Sequence, residues 1–147
     1  MRSMTMSKTD TTTHAAIRPR ALNIVLWVLQ VLLAAVFLAH GVFMLAPPAE
    51  MVAMINAQLG EGLRLFIGVA EVLAAVGLTL PGIMRIQPML VSWAAAGVMI
   101  IMIGATVFHV SRGEFSSAIT TTILLTMATY VAYMRWKVKP IVPRVVA

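Results

Sequence analysis

The chain has 147 residues, of which 61% are hydrophobic, and its mean hydropathy of +0.95 far exceeds that of an ordinary water-soluble domain, which is about 45 to 50% apolar. It contains no cysteine, which excludes disulfides, thiol redox chemistry and thiolate metal sites. The formal net charge of +6 does not indicate a nucleic-acid partner, because the basic residues flank the apolar runs as they do in membrane proteins.

The chain begins with a hydroxyl-rich basic segment, residues 1–20, which is predicted to be a disordered cytoplasmic tail. Four apolar runs follow, at 21–46, 61–80, 88–110 and 116–136. Each is near the length of about 20 residues that a helix needs to cross a hydrocarbon core about 30 Å thick. The sequence therefore predicts an all-α membrane protein, with a four-transmembrane-helix bundle over 21–136 and a second basic cytoplasmic tail at 137–147.

Three links join the four runs. The first, 47–60, is weakly amphipathic and is expected to lie in the membrane interface. The second begins with Pro81 and Gly82, which predict the end of the second helix. The third, 111–115, is so short that the third and fourth spans must be antiparallel neighbours.

The basic residues predict the orientation of the bundle. With both termini in the cytoplasm, two of the 11 Lys and Arg residues, Arg64 and Arg112, lie outside. Cytoplasmic links of membrane proteins carry an excess of Lys and Arg, so this arrangement is favoured. The nine residues on the inner side are Arg2, Lys8, Arg18, Arg20, Arg85, Arg135, Lys137, Lys139 and Arg144.

One acidic residue, Glu71, lies near the middle of the second apolar run. Inserting an acidic residue at the centre of a membrane helix costs roughly 2.5 to 3.5 kcal/mol, and such residues usually face a bundle interior and mark functional sites. Glu71 is therefore predicted to face a polar interior.

Other ionisable residues are expected in the same outer half of the membrane. Arg64 lies two turns outward from Glu71 on the same helix face, with Gly68 between them. His40 lies about two turns below the outer end of the first span, and His109 closes the third span before a turn with Arg112 and Glu114. We interpret these residues as a cleft open to the outer face. The competing interpretation is purely structural, with packing ion pairs and a solvated turn.

The predicted cleft suits a small amphipathic molecule that arrives through the bilayer. A quinone would need an apolar slot, a histidine for a carbonyl oxygen and a carboxylate that exchanges a proton. Glu71 and His109 are the candidate catalytic residues, and His40, Arg64, Gly68, Arg112 and Glu114 are candidate ligand-binding residues. Haem held by His40 and His109 is a weaker alternative, and no metal site is predicted.

Three stretches of the sequence resemble the DoxX-like family of four-span membrane proteins. They are His-Gly at 40–41, Gly-Val-Ala-Glu at 68–71 continuing as Gly-Leu-Thr-Leu-Pro at 77–81, and Gly-Ala at 104–105 leading to His-Val-Ser-Arg-Gly-Glu-Phe at 109–115. The resemblance covers about residues 21–136. It implies a four-helix membrane bundle, in which the family's glutamate and histidine correspond to Glu71 and His109 and a packing glycine corresponds to Gly41.

The resemblance also implies a function, which we state as an expectation. Family members are associated with quinone-linked oxidation or with oxidoreductase complexes, so we expect an accessory subunit of a redox system in a bacterial cytoplasmic membrane. Many members have Lys where this chain has Met44. A membrane scaffold or assembly factor with a protein partner or a second copy of the chain, and less strongly a small-solute transporter, are the alternatives.

Overall fold

The computed structural model describes the backbone of residues 9–144 and the side chains of residues 20–144. That part of the chain is helical, with no β-strand, which confirms the predicted all-α fold class. The elements are α1 (Thr9–Leu45), α2 (Ala49–Leu59), α3 (Glu61–Met84), α4 (Leu90–Ser111), α5 (Phe115–Tyr133) and a π-helical segment (Met134–Val138).

Within the described residues, four helical segments are long and apolar enough to cross a membrane: Arg20–Leu45, Glu61–Met84, Leu90–Ser111 and Phe115–Val138. They match the four predicted spans, so the chain is a multi-pass integral membrane protein. One end of the bundle carries α2 and the α4–α5 turn, and we call it the α2 end. The other carries the α3–α4 link and the π-helical segment, and we call it the terminal end.

The four spans pack in a closed order, α1 beside α3, α3 beside α4, α4 beside α5, and α5 beside α1. The predicted pairing of the last two spans is confirmed. Large apolar residues cover the outside, where lipid is the solvent, and Ile100 remains 73% exposed. The fully buried core includes Leu33, Phe37, Leu78, Val98 and Val131.

The bounds of two helices differ from the prediction. α1 begins at Thr9, within the segment predicted to be disordered, because adding residues to a helix that already exists costs little; residues 1–8 lie outside the described part. The predicted helix end at Pro81 is wrong, since α3 continues through it to Met84. Proline is tolerated inside membrane helices, and here the helix ends where Arg85 takes a left-handed conformation with φ 57°.

The segment after the π-helix folds back over the terminal end. The backbone N–H of Arg144 donates to the carbonyl of Arg85 across 3.0 Å, which joins the chain's last described residue to the α3–α4 link. Ile141 lies over Gly82, where a Cβ atom would come within 2.9 Å of the isoleucine side chain. This packing forms one wall of a groove that is described below.

Candidate functional site

Two glycines allow α1 and α3 to approach each other closely near the α2 end. A Cβ atom on Gly41 would lie 2.9 Å from the carbonyl oxygen of Gly68. A Cβ atom on Gly68 would lie 2.8 Å from Leu45 and 3.1 Å from the carbonyl oxygen of Gly41. Small residues of this kind let membrane helices pack backbone to backbone. The space beside Gly68, predicted to belong to a ligand, is filled by α1.

This crossing places His40 of α1 against Glu71 of α3. The Nδ1 atom of His40 lies 2.6 Å from Oε2 of Glu71, within hydrogen-bonding distance. The glutamate is 1% exposed, so its carboxyl group is shielded from the surroundings. The histidine side chain is 50% exposed. The pair therefore connects a buried carboxyl group to the outer surface of the bundle through an imidazole ring.

Arg64 of α3 forms hydrogen bonds to α1 and α2 at the α2 end. Its guanidinium donates to the backbone carbonyl of Met44, and its Nε donates to Oδ1 of Asn56 across 2.8 Å. Glu61 approaches the same group at 3.9 Å. Arg64 is only 5% exposed and holds α2 and the end of α1 against α3. Many family members have a lysine at the position of Met44. Here Arg64 of α3 places a cation at the backbone carbonyl of Met44 instead.

The α4–α5 turn contains a second histidine–glutamate pair. The Nδ1 atom of His109 lies 2.6 Å from Oε2 of Glu114, and Nε of Arg112 donates to Oε1 of the same carboxylate across 2.9 Å. Arg112 also lies over the ring of Phe108, 5.2 Å from its centroid. The hydrogen bond from Arg112, and then that involving His109, lowers the pKa of Glu114 below its usual 4.5.

The predicted site residues thus form two groups instead of one continuous cluster. Among the described side chains, no hydrogen bond or ion pair joins the α1–α3 group, which contains His40, Arg64 and Glu71, to the turn group of His109, Arg112 and Glu114. The carboxylate of Glu114 holds His109, and His40 is the histidine that reaches Glu71. The described residues contain no set of three or more potential metal-ligating side chains.

A polar cluster at the terminal end was not predicted as a site. Arg135 is 3% exposed and donates through Nε to Oε1 of Gln30 across 2.6 Å and through Nη1 to Oδ1 of Asn23 across 2.8 Å. Gln30 in turn donates to the carbonyl of Leu78 across 2.7 Å. Asn23 and Gln30 lie seven residues apart on one face of α1, which is the sequence signal that could have indicated a buried polar partner. The sequence by itself indicates only an orienting role for Arg135.

Comparisons with known proteins agree with this architecture. A family model described as the DoxX-like family matches residues 28–131, which covers most of all four spans. No curated protein and no solved structure matches the chain. The matched region contains both histidine–glutamate pairs, the Gly41–Gly68 crossing and Arg64. On the strength of this match, which confirms the resemblance found in the sequence, the chain belongs to the DoxX-like family.

Proposed function

We propose that the chain is a membrane subunit of a redox system, and that its His40–Glu71 pair binds a quinone-like lipophilic ligand and exchanges a proton with it. One contact supports this proposal above the others, the 2.6 Å approach of His40 to the buried Glu71. The proposed site therefore differs from the sequence prediction in its histidine: His40, and not His109, is the histidine beside Glu71.

The chemistry of the pair suits a quinone. A histidine whose Nδ1 is held by a carboxylate has a fixed ring orientation, and its Nε2 is left for a second partner. Because the His40 side chain is half exposed on a helix surrounded by apolar residues, that partner would arrive from the bilayer. A quinone carbonyl accepts a hydrogen bond, and its reduction requires protons that an imidazole–carboxylate pair can deliver. Electrons would come from a partner oxidoreductase.

The test uses the two histidine–glutamate pairs of the chain as site and matched control. Purified protein in nanodiscs is dialysed against a short-chain ubiquinone at several pH values. We expect Glu71→Gln to weaken binding about tenfold or more and to remove its pH dependence, because hydrogen bonds to charged groups contribute roughly 1.5–3 kcal/mol. Glu114→Gln changes the same residue type at the same 2.6 Å distance from a histidine and should leave binding unchanged. Equal binding by wild type and Glu71→Gln would refute the proposal.

A scaffold or assembly factor is the second candidate. It is favoured because Arg64 and Arg135 donate their hydrogen bonds to other helices of the same chain. These bonds fix the positions of α1, α2 and α3. Under this reading Glu71→Gln would lower thermal stability, a protein partner would copurify, and no quinone would be bound at any pH.

A further inference from the structure

The terminal end of the bundle has a groove that the proposed quinone site does not use. It is lined by residues 87–90 of the α3–α4 link and the start of α4, by Trp93 and Arg135, and by Pro140, Ile141 and Pro143. It is an open groove with a volume of about 550 Å³. Most of its wall is apolar, and Arg135 is its cation.

Arg135 has no anionic partner in the described structure. The acceptors it bonds are the amide oxygens of Gln30 and Asn23 and the backbone carbonyl of Lys139. Its Nη2 is buried and makes no hydrogen bond. Burying a charged group is costly unless the charge is paired, and an unpaired buried donor adds to that cost. The Nη2 atom of Arg135 therefore lacks an acceptor, and an anionic acceptor would satisfy both this donor and the charge of the guanidinium.

The described acidic residues do not provide this acceptor, so it would come from outside the described protein. Four of the five acidic residues have described side chains: Glu50, Glu61 and Glu114 belong to the α2 end, and Glu71 lies midway along α3. None forms an ion pair with Arg135. The terminal end carries four further cationic residues, which are Arg85, Lys137, Lys139 and Arg144. An anion bound beside Arg135 would thus lie at an end of the bundle where basic residues are in excess.

We propose that this groove binds an anionic phospholipid, with its phosphate accepting a hydrogen bond from Arg135 and its glycerol and first acyl carbons lying against Leu90, Trp93 and Ile141. A phosphate oxygen is the acceptor that a guanidinium binds best. The apolar wall favours a lipid over free inorganic phosphate, and the groove lies at the membrane surface where basic residues meet anionic headgroups. This site is independent of the His40–Glu71 pair.

Native mass spectrometry of the full chain in detergent tests the proposal, with phosphatidylglycerol, phosphatidylcholine and inorganic phosphate added separately. We expect one phosphatidylglycerol to bind at least about tenfold more tightly than phosphatidylcholine, because only the anionic lipid leaves a net negative charge for the arginine. Equal binding of the two lipids would overturn the proposal, as would displacement of the lipid by millimolar inorganic phosphate.

Two variants and a control locate the binding. Arg135→Gln should abolish the preference for phosphatidylglycerol. Leu90→Glu places a carboxylate in the groove wall without touching the hydrogen bonds of Arg135, so it should also abolish the preference, and it keeps the test decisive if Arg135→Gln fails to fold. Arg112→Gln removes one arginine from the α2 end and should leave the preference intact. Retention of the preference in folded Leu90→Glu, or its loss in Arg112→Gln, would contradict the proposed site.

Discussion

At the scale of single residues, two histidine–glutamate pairs have the same Nδ1–Oε2 distance of 2.6 Å in different surroundings. Glu71 is buried between two membrane helices, whereas Glu114 belongs to a partly exposed turn. The burial of Glu71 could be predicted because an acidic residue within an apolar run must avoid lipid. Its pairing with His40 could not, because the distance between α1 and α3 depends on a crossing that helical periodicity alone does not define.

The glycine at that crossing gives a prediction about stability. Gly41→Ala should lower the free energy of unfolding by about 1–3 kcal/mol, because the added Cβ would meet a backbone atom that cannot move aside. Thermal unfolding in detergent measures the effect. Gly97→Ala is the matched control on α4, where nothing lies within 4 Å of the added atom. It should be neutral or stabilising by about 0.5–1 kcal/mol, since alanine is the better helix former. Equal destabilisation by both changes would contradict the close crossing.

At the scale of elements, the lengths and order of the spans could be predicted from apolar runs, but the ends of helices could not. Pro81 followed by Gly82 has the sequence signature of a helix end, yet α3 passes through both and ends one residue before Arg85. The cluster around Arg135 was missed for a related reason. A basic residue at the end of an apolar run resembles an orientation signal, and only the packing of α5 against α1 shows that it is buried.

The turn between α4 and α5 should respond to pH. The hydrogen bonds from Arg112 and His109 keep the pKa of Glu114 below its ordinary 4.5, so they stabilise the turn above that pH. The stabilisation is lost as pH falls through the lowered pKa of the folded state. We therefore expect amide exchange of residues 111–115 to increase on acidification below pH 4.5, after correction for the intrinsic rate. Glu114→Gln should exchange faster at neutral pH and show no such transition. A transition that persists in Glu114→Gln would assign it to another group.

At the scale of the whole molecule, the four spans place both ends of the described bundle on one side of the membrane. The distribution of Lys and Arg predicts that this side is the cytoplasm. The α1–α3 pair and the α4–α5 turn would then lie toward the outer surface, and the groove at Arg135 would face the inner leaflet. The fold class thus follows from composition, and the orientation stays a prediction from the charge distribution, whereas the partition of the polar residues into separate clusters required the packing.

The absence of cysteine makes this orientation directly measurable. Single cysteines at Gln58 in the exposed face of α2 and at Val142, which is 73% exposed after the π-helix, report opposite sides. In intact spheroplasts a membrane-impermeant maleimide should label Gln58→Cys, and should label Val142→Cys only after the cells are opened. The reverse pattern would invert the bundle and place the His40–Glu71 pair toward the cytoplasm.

The proposed binding of a quinone-like ligand by the His40–Glu71 pair is tested most directly by native mass spectrometry of the protein extracted from its own membranes, with the retained small molecules identified. We predict that wild type and Glu114→Gln retain one quinone per chain, and that Glu71→Gln retains markedly less. Phospholipid without quinone in the wild type, or equal quinone in all three proteins, would contradict the claim.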